Sequence, residues 1–432
     1  MTSRKLSVEA ELEKLQHLSF NYFLHETNPV NGLVSDKNIA NWPASIAATG
    51  LALASYPVAV ERGFMPHAAA VERTLATLRF FWNSPQSAEP DATGYHGFYY
   101  HFLDIWTGRR AWQSELSTVD STFLLAGALT AGSYFDTDEP DELEIRTLAD
   151  ALYRRADWQW AQDHGATVTH GWKPEGGFLP YRWEGYDEAM LLYILGLGSP
   201  THPLPESSYT AWASTYRWES IYDYEYLFAG PLFTHQLSHI WIDFHGIQDA
   251  FMRDKGIDYF ENSRRATYVQ QSYAIDNPQK FNGYGECCWG LTASDGPGPA
   301  TLKVNGIERQ FFNYLGRGVP YGPDDGTLAP WAVVASLPFA PEIVLPTLDY
   351  CINQAKLTES NPYGFKATYN PTYPEKSNNS SGWVSSWHYG LNEGPVVLMI
   401  ENYRTGFLWR LMRDCPYIAN GLRQAGFSGG WL

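Results

Sequence analysis

Three carboxylates, Glu184, Asp187 and Glu188, lie within one run, WEGYDEAMLLYILGLGSPTHPLP, that begins at Trp183. Trp183 and Tyr186 stand among them, and an apolar stretch follows that Gly198, Ser199 and Pro200 close. Acids in the first turn of a helix are favoured by the macrodipole by about 0.3–1 kcal/mol, and such capping accounts for one of the three. The other chemistry open to them is proton transfer. Aromatic neighbours desolvate a carboxyl group and raise its pKa toward that of a general acid, and Glu188 is the leading candidate for that role.

Acids recur ahead of apolar stretches. Asp120 lies three residues after Ser117 and before FLLAGAL, which is a capping-box pattern and also a candidate site carboxylate. Glu286 ends NGYGE and Asp295 opens DGPG, where glycines let a backbone approach a ligand and equally let a chain turn. Asp324-Asp325-Gly326 and Asn392-Glu393-Gly394-Pro395 repeat the arrangement. Two carboxylates across a cleft are what glycoside hydrolysis requires: one protonates the leaving oxygen while the other activates water or attacks carbon. The 17 Trp, 28 Tyr and 22 Phe exceed what a core needs, so some rings should line a surface. Trp42, Trp172, Trp183, Trp289, Trp383 and Trp387 are candidate sugar platforms, each with core packing as its alternative.

The elements that must position these groups are helical. A helical period runs over residues 7–23, and further helices are expected over 44–60, 66–81, 117–131, 142–160, 183–197, 207–218, 233–245, 246–277, 328–337, 341–354 and 393–412. Residues 83–113 break the period with aromatics crowded around glycines, the mark of a long functional loop. A small β-hairpin is expected over 302–312, turning at Asn305-Gly306. Short links make consecutive helices antiparallel neighbours, so the fold class expected is all-α, six hairpins closed into a double ring, an (α/α)6 toroid. Its inner helices all point one way. Their N-terminal ends, with the acids they carry, gather at one mouth.

No linker or low-complexity segment divides the 432 residues, which reads as a single catalytic domain over 1–432. A net charge of −17 without basic clusters excludes nucleic acid and anionic membranes as partners and leaves neutral ligands such as oligo- or polysaccharides. Cys287, Cys288, Cys351 and Cys415 have neither disulfide-framework nor zinc spacing. His235 and His239 stand at i, i+4 but lack H-E-x-x-H context, so no metal and no cofactor is expected. No nucleophile elbow, P-loop or dinucleotide strand-helix context is found, which weakens esterase, kinase and dinucleotide readings. The N-terminus lacks an apolar leader core, which reads as cytoplasmic, or as periplasmic if a signal has been removed.

The run from Trp183, together with STVDSTFLLAGAL, FNGYGECCWGLTASDGPG, DDGTLAPWAVVASLPFAPE and GLNEGPVVLMIENYRTGFLW, resembles the glycoamylase-like family of (α/α)6 proteins that includes bacterial endo-β-1,2-glucanases. The similarity runs from about Leu15 to Leu411. It implies a toroid and endo-acting, inverting hydrolysis of β-1,2-glucan to sophoro-oligosaccharides. Carried over by motif, Glu188 is the expected general acid and Glu286 or Asp120 the base, acting directly or through a relay. Glu184, Asp187 and Asp295 are expected to support them, with Tyr186, Trp183, Trp289, Trp42 and Trp387 contacting substrate. Glu393 departs from the family pattern, which bears on substrate length and linkage. The alternatives are an exo-acting β-glucosidase or transglycosylase walled by residues 83–113, a sugar-binding toroid without catalysis, and a lyase or epimerase.

Overall fold

The computed structural model describes residues 2–374 and 381–432. Fifteen helices are present among them: α1 (Thr2–His25), α2 (Ile46–Glu61), α3 (His67–Asn83), α4 (Thr118–Tyr134), α5 (Pro140–Arg155), α6 (Trp158–Ala161), α7 (Met190–Gly198), α8 (Glu206–Ala213), α9 (Ala250–Lys255), α10 (Tyr259–Asp276), α11 (Pro330–Ala335), α12 (Pro341–Asp349), α13 (Gly390–Arg404), α14 (Phe407–Arg413) and α15 (Pro416–Gln424). The inner ring is α2, α4, α7, a pair of 3-10 turns (Leu232–His235 and Leu237–Ile240), α11 and α13. Around it lie α1, α3, α5, α8, α10 and α12. The (α/α)6 toroid expected from sequence is the fold.

Side-chain pattern decides which ring a helix joins. Inner helices are buried all round: every residue of α7 and of α11 is buried, as are Ile46 to Ala59 in α2. Outer helices bury one stripe, as α3 does with Ala70, Val71, Thr74, Leu75, Leu78 and Phe81, which is the amphipathic pattern of a helix facing water on its other side. At the crossing of α2 and α4 the backbones touch. A Cβ on Gly127 would lie 2.0 Å from the Gly50 carbonyl oxygen, so no side chain fits there.

Short strands fill the connections between helices. β1 (Ala44–Ser45) pairs with β4 (Phe102–Leu103), while β2 (Gly94–Tyr95), β3 (Phe98–Tyr100), β5 (Leu116–Ser117), β6 (Gly171–Lys173) and β7 (Gly177–Phe178) form a five-stranded sheet in the order 2-3-5-6-7. The aromatic loop therefore carries three short strands, with Phe98, Tyr99 and Tyr100 fully buried. β8 (Trp218–Ile221) and β9 (Tyr224–Leu227) make a hairpin, and β10 (Ile247–Gln248) pairs with residues 428–429. β11 (Ala293–Ser294) pairs with β14 (Leu315–Gly316), and between them β12 (Ala300–Val304) and β13 (Ile307–Phe311) form the hairpin expected at Asn305-Gly306. Both turn residues have positive φ, 52° and 82°, as a tight two-residue turn demands.

Several expected helices end early. The helix of 142–160 stops at Arg155, where Ala156 turns to an extended conformation, and α6 restarts behind the Asp157 cap. That of 246–277 breaks at Gly256, whose φ of 70° ends α9, before Asp258 caps α10. Residues 233–245 hold two 3-10 turns instead of a helix. Residues 393–412 break at Gly406, which adopts φ 66° between α13 and α14. No described helix is long and apolar enough to cross a membrane.

Candidate active site

The N-terminal ends of the inner ring open on one cavity of about 590 Å³. Ser45 caps α2, and Ser117 and Asp120 begin α4. Glu188 stands just before α7, Phe233 and Leu237 lie in the 3-10 turns, Trp331 opens α11, and Leu391 and Asn392 open α13. All of these line the cavity, so every inner element contributes its first residues to one space.

The run from Trp183 folds differently from the sequence expectation. α7 begins at Met190, so Glu184, Asp187 and Glu188 precede the helix rather than occupy its first turn. Gly185, at φ 86°, turns the chain, and Asp187 accepts a hydrogen bond from the Ala189 amide at 3.0 Å. Asp187 also accepts from Trp212 Nε1 at 3.0 Å; burial and the adjacent Glu188 push its pKa well up. Asp187 thus turns away from the cavity and fastens the loop. Glu184 is exposed and accepts from Thr167 Oγ1 at 3.0 Å. Tyr186 stacks on Tyr259 and packs on His235, away from the cavity lining. Glu188 alone of the three acids faces the cavity. Burial, and secondarily the charge of Asp120, raise its pKa to about 7, so it carries a proton near neutrality.

Asp120 lies in a different setting. Ser117 Oγ donates to Asp120 Oδ2 at 2.5 Å while accepting from the Asp120 amide at 3.2 Å, so one serine caps the helix and holds the carboxylate. His101 Nε2 lies 3.7 Å from Asp120 Oδ2, and its Nδ1 pairs with Glu115 at 2.8 Å. Burial opposes charge on this imidazole, but Asp120, Glu115 and Asp36 outweigh it and hold its pKa at about 9. An imidazolium therefore faces Asp120 and none of the ion pairs includes Glu188 among the described residues. The two carboxyl groups sit in unlike surroundings: Asp120 is held by a serine hydroxyl and faces the His101 ring, and Glu188 is buried without an ion-pair partner among the described residues.

The walls combine rings and charge. His170 stacks on Trp183 at 3.8 Å, and Trp183 Nε1 donates to Thr118 Oγ1 at 3.0 Å, which locks the ring against the start of α4. Asp36, raised to about 6 chiefly by burial, accepts from Trp42 Nε1 at 3.3 Å. The Lys37 ammonium rests 4.0 Å from the Trp42 ring, 5.5 Å from Trp387 and 5.7 Å from Tyr389. Asp295 accepts from Ser385 Oγ at 2.8 Å, and Tyr314 packs near Tyr389 at a ring-centroid distance of 6.4 Å.

Besides Glu184, Asp187 and Tyr186, the expected site residues Trp42, Trp387 and Asp295 stand outside the cavity lining, the two tryptophans beside Lys37, and Glu286 and Trp289 lie elsewhere. Glu286 is exposed outside the cavity, where its backbone carbonyl accepts from Gln271 Nε2; the NGYGE turn carries it to the outer surface rather than to the ring's mouth. Trp289 is buried in the core with its indole donating to Thr347 Oγ1 at 2.9 Å. Asp325 and Glu393, which share the acid-before-helix pattern, are also structural: Arg317 clasps Asp325 at 2.7 Å, and His388 Nδ1 lies 3.1 Å from Glu393. Sequence reasoning missed Asp36, Lys37, Glu115, Tyr314 and Tyr389 as cavity residues. Only the crowding of aromatics near His101 hinted at that wall.

A double ring of helices with carboxylates of unlike environment at its mouth defines the class of (α/α)6 toroids with a funnel-shaped site. The family model described as "Glycoamylase: Putative glucoamylase" matches residues 180–416, more than half of the chain, and the chain belongs to that family. It is 29% identical, over 98% of its length, to an exo β-1,2-glucooligosaccharide sophorohydrolase (non-reducing end) of Parabacteroides distasonis, and spans 58% of that protein. A solved endo-β-1,2-glucanase from Chitinophaga pinensis, in complex with sophorotriose and glucose, superposes with a TM-score of 0.85 at 25% identity, covering 98% of this chain and 99% of that one. A β-1,2-glucanase structure from Parabacteroides distasonis gives 0.84 at 26% identity, covering 97% and 60%.

Proposed function

We propose that this protein hydrolyses β-1,2-linked glucan, with Glu188 as general acid and Asp120 as general base. The observation that carries the reading is the pairing of a cavity-facing carboxyl whose pKa is raised to about 7 with a carboxylate held by a serine hydroxyl and an imidazolium. The linkage comes from the relatives, whose names specify β-1,2-glucans. Glu188 gives its proton to the glycosidic oxygen as the bond from that oxygen to the anomeric carbon breaks. Water attacks the same carbon from the opposite face and loses its proton to Asp120, so the product has inverted configuration. Trp183, Trp42, Trp387 and Tyr389 offer faces for the sugar rings.

Cleavage within the chain, giving sophoro-oligosaccharides, is the mode we favour. A second reading, release of disaccharide from the non-reducing end, is supported by the sophorohydrolase relative and by the wall that His101 and Phe102 raise on one side of the cavity. Incubation with linear β-1,2-glucan, β-1,3-glucan and starch tests the proposal, with products separated by size and anomeric configuration followed by NMR. Failure to cleave any glucan would sink it. Disaccharide as the sole early product would select the exo mode, and retained configuration would remove the single-displacement mechanism.

A further inference from the structure

A second hollow of about 480 Å³ lies beside the β12–β13 hairpin, lined by residues 299–301 and 310–315. Tyr314 is the one residue common to the linings of this groove and the catalytic cavity, at the partition between them. That partition is built from the β11–β14 pair, in which Ala293 faces the cavity and Leu315 the groove. Tyr314 stands at this edge with its side chain 55% exposed, a ring open to contact from outside.

The groove's chemistry is selective. In a chain of net charge −17, its lining contains no Asp, Glu, Lys or Arg. Thr301 and Gln310, directly opposed across the hairpin, supply an exposed hydroxyl and an exposed amide, with Asn313 beside them. Pro299, Ala300 and Leu315 supply apolar surface. Neutral hydroxyl and amide groups beside an aromatic ring suit a polyhydroxylated, uncharged ligand and supply no charge to pair with a phosphate or a charged peptide.

The partition is also rigid. Arg317 is fully buried and pairs with Asp325 at 2.7 and 2.9 Å. Its remaining donors reach the carbonyls of Ser294 at 2.8 Å and Asn313 at 3.1 Å, fastening the segments on either side of Tyr314. A platform fixed in this way loses little freedom when a ligand stacks on it.

We infer that the groove is an outer subsite for the same glucan, so that a chain leaving the cavity crosses Tyr314 and continues along the hairpin. The inference rests on the proposed glucan-hydrolase function and adds the path of the substrate outside the catalytic cavity. Calorimetric binding of linear β-1,2-gluco-oligosaccharides of increasing length to the Glu188→Gln protein tests it. Affinity should step up by about threefold to tenfold once the oligosaccharide is long enough to pass Tyr314. The step should vanish in Thr301→Ala/Gln310→Ala, whose exposed side chains make misfolding a minor concern, and in Tyr314→Ala, while Tyr314→Phe should keep it. A step that survives the double variant, or an equal loss for short and long oligosaccharides, overturns the inference alone. No binding at any length overturns the inference together with the function it rests on.

Discussion

Replacing Glu188 by Gln tests the acid assignment most directly, because the cavity sets the size of the effect. The carboxyl pKa rises from 4.5 to about 7 as burial disfavours its charged form. That rise corresponds to about 3.4 kcal/mol. A carboxyl at its ordinary value would be protonated in about 0.3% of molecules at pH 7, whereas this one is protonated in about half. Wild-type kcat/KM should therefore fall about tenfold per pH unit above pH 7, as the proton needed by the leaving oxygen is lost. Glu188→Gln should lower kcat by a factor of roughly 10²–10⁴ and remove that alkaline limb, leaving a residual rate flat from pH 6 to 9. The assay is initial reducing-end release from β-1,2-glucan across pH, with circular dichroism confirming the fold. A limb that persists in the variant, or a loss under tenfold, would refute the role of Glu188 as acid.

The same raised pKa makes a stability prediction. The folded protein holds a proton on Glu188 that the unfolded chain releases, so this group's contribution falls as pH rises from about 4.5 through about 7. Glu188→Gln should accordingly be more stable than wild type at pH 8, by up to about 3 kcal/mol, and indistinguishable at pH 4; equal melting temperatures at pH 8 would contradict it. His101 has the same sign, in a higher pH window. Its raised pKa contributes stability fully below about 6.5 that is lost as pH rises through about 9, so His101→Gln should melt lower at pH 6 and match wild type above pH 10. Asp325→Asn should cost about 3–5 kcal/mol in urea unfolding because Arg317 is left buried without its charge partner; a cost under 1 kcal/mol would remove the clasp. Trp42→Ala, which strips the ring from beneath Lys37 and the hydrogen bond from Asp36, should raise KM several-fold more than it lowers kcat, measured on long oligosaccharides.

The toroid was legible because inner and outer helices carry different patterns, and periodicity reports burial directly. The 2-3-5-6-7 sheet was not, because its strands are two or three residues long and read as loop. Glu188 and Asp120 stood out by preceding helices that converge. Glu286, Asp325 and Glu393 look alike by residue type and yet lie outside the cavity: Glu286 precedes no helix, and Asp325 and Glu393, near the starts of the inner helices α11 and α13, are held by Arg317 and His388. Asp36 and Tyr314 lie in segments of no regular period, where only the folded chain brings them to the mouth.

The first and last hairpins meet at a seam. Gln16 Nε2 donates to the Val397 carbonyl and to Glu401, which also pairs with Arg62, while Arg404 reaches Glu13 from α13. Residues 16 and 397 are 381 positions apart, so the ring closes through one of the longest-range contacts the chain makes. During synthesis, α2 emerges buried-faced on all sides yet lacks α13, its neighbour across the seam, until nearly the whole chain is made. Closure of the circle is therefore expected to come late in folding, leaving the waiting apolar face of α2 exposed to aggregation in an incomplete chain.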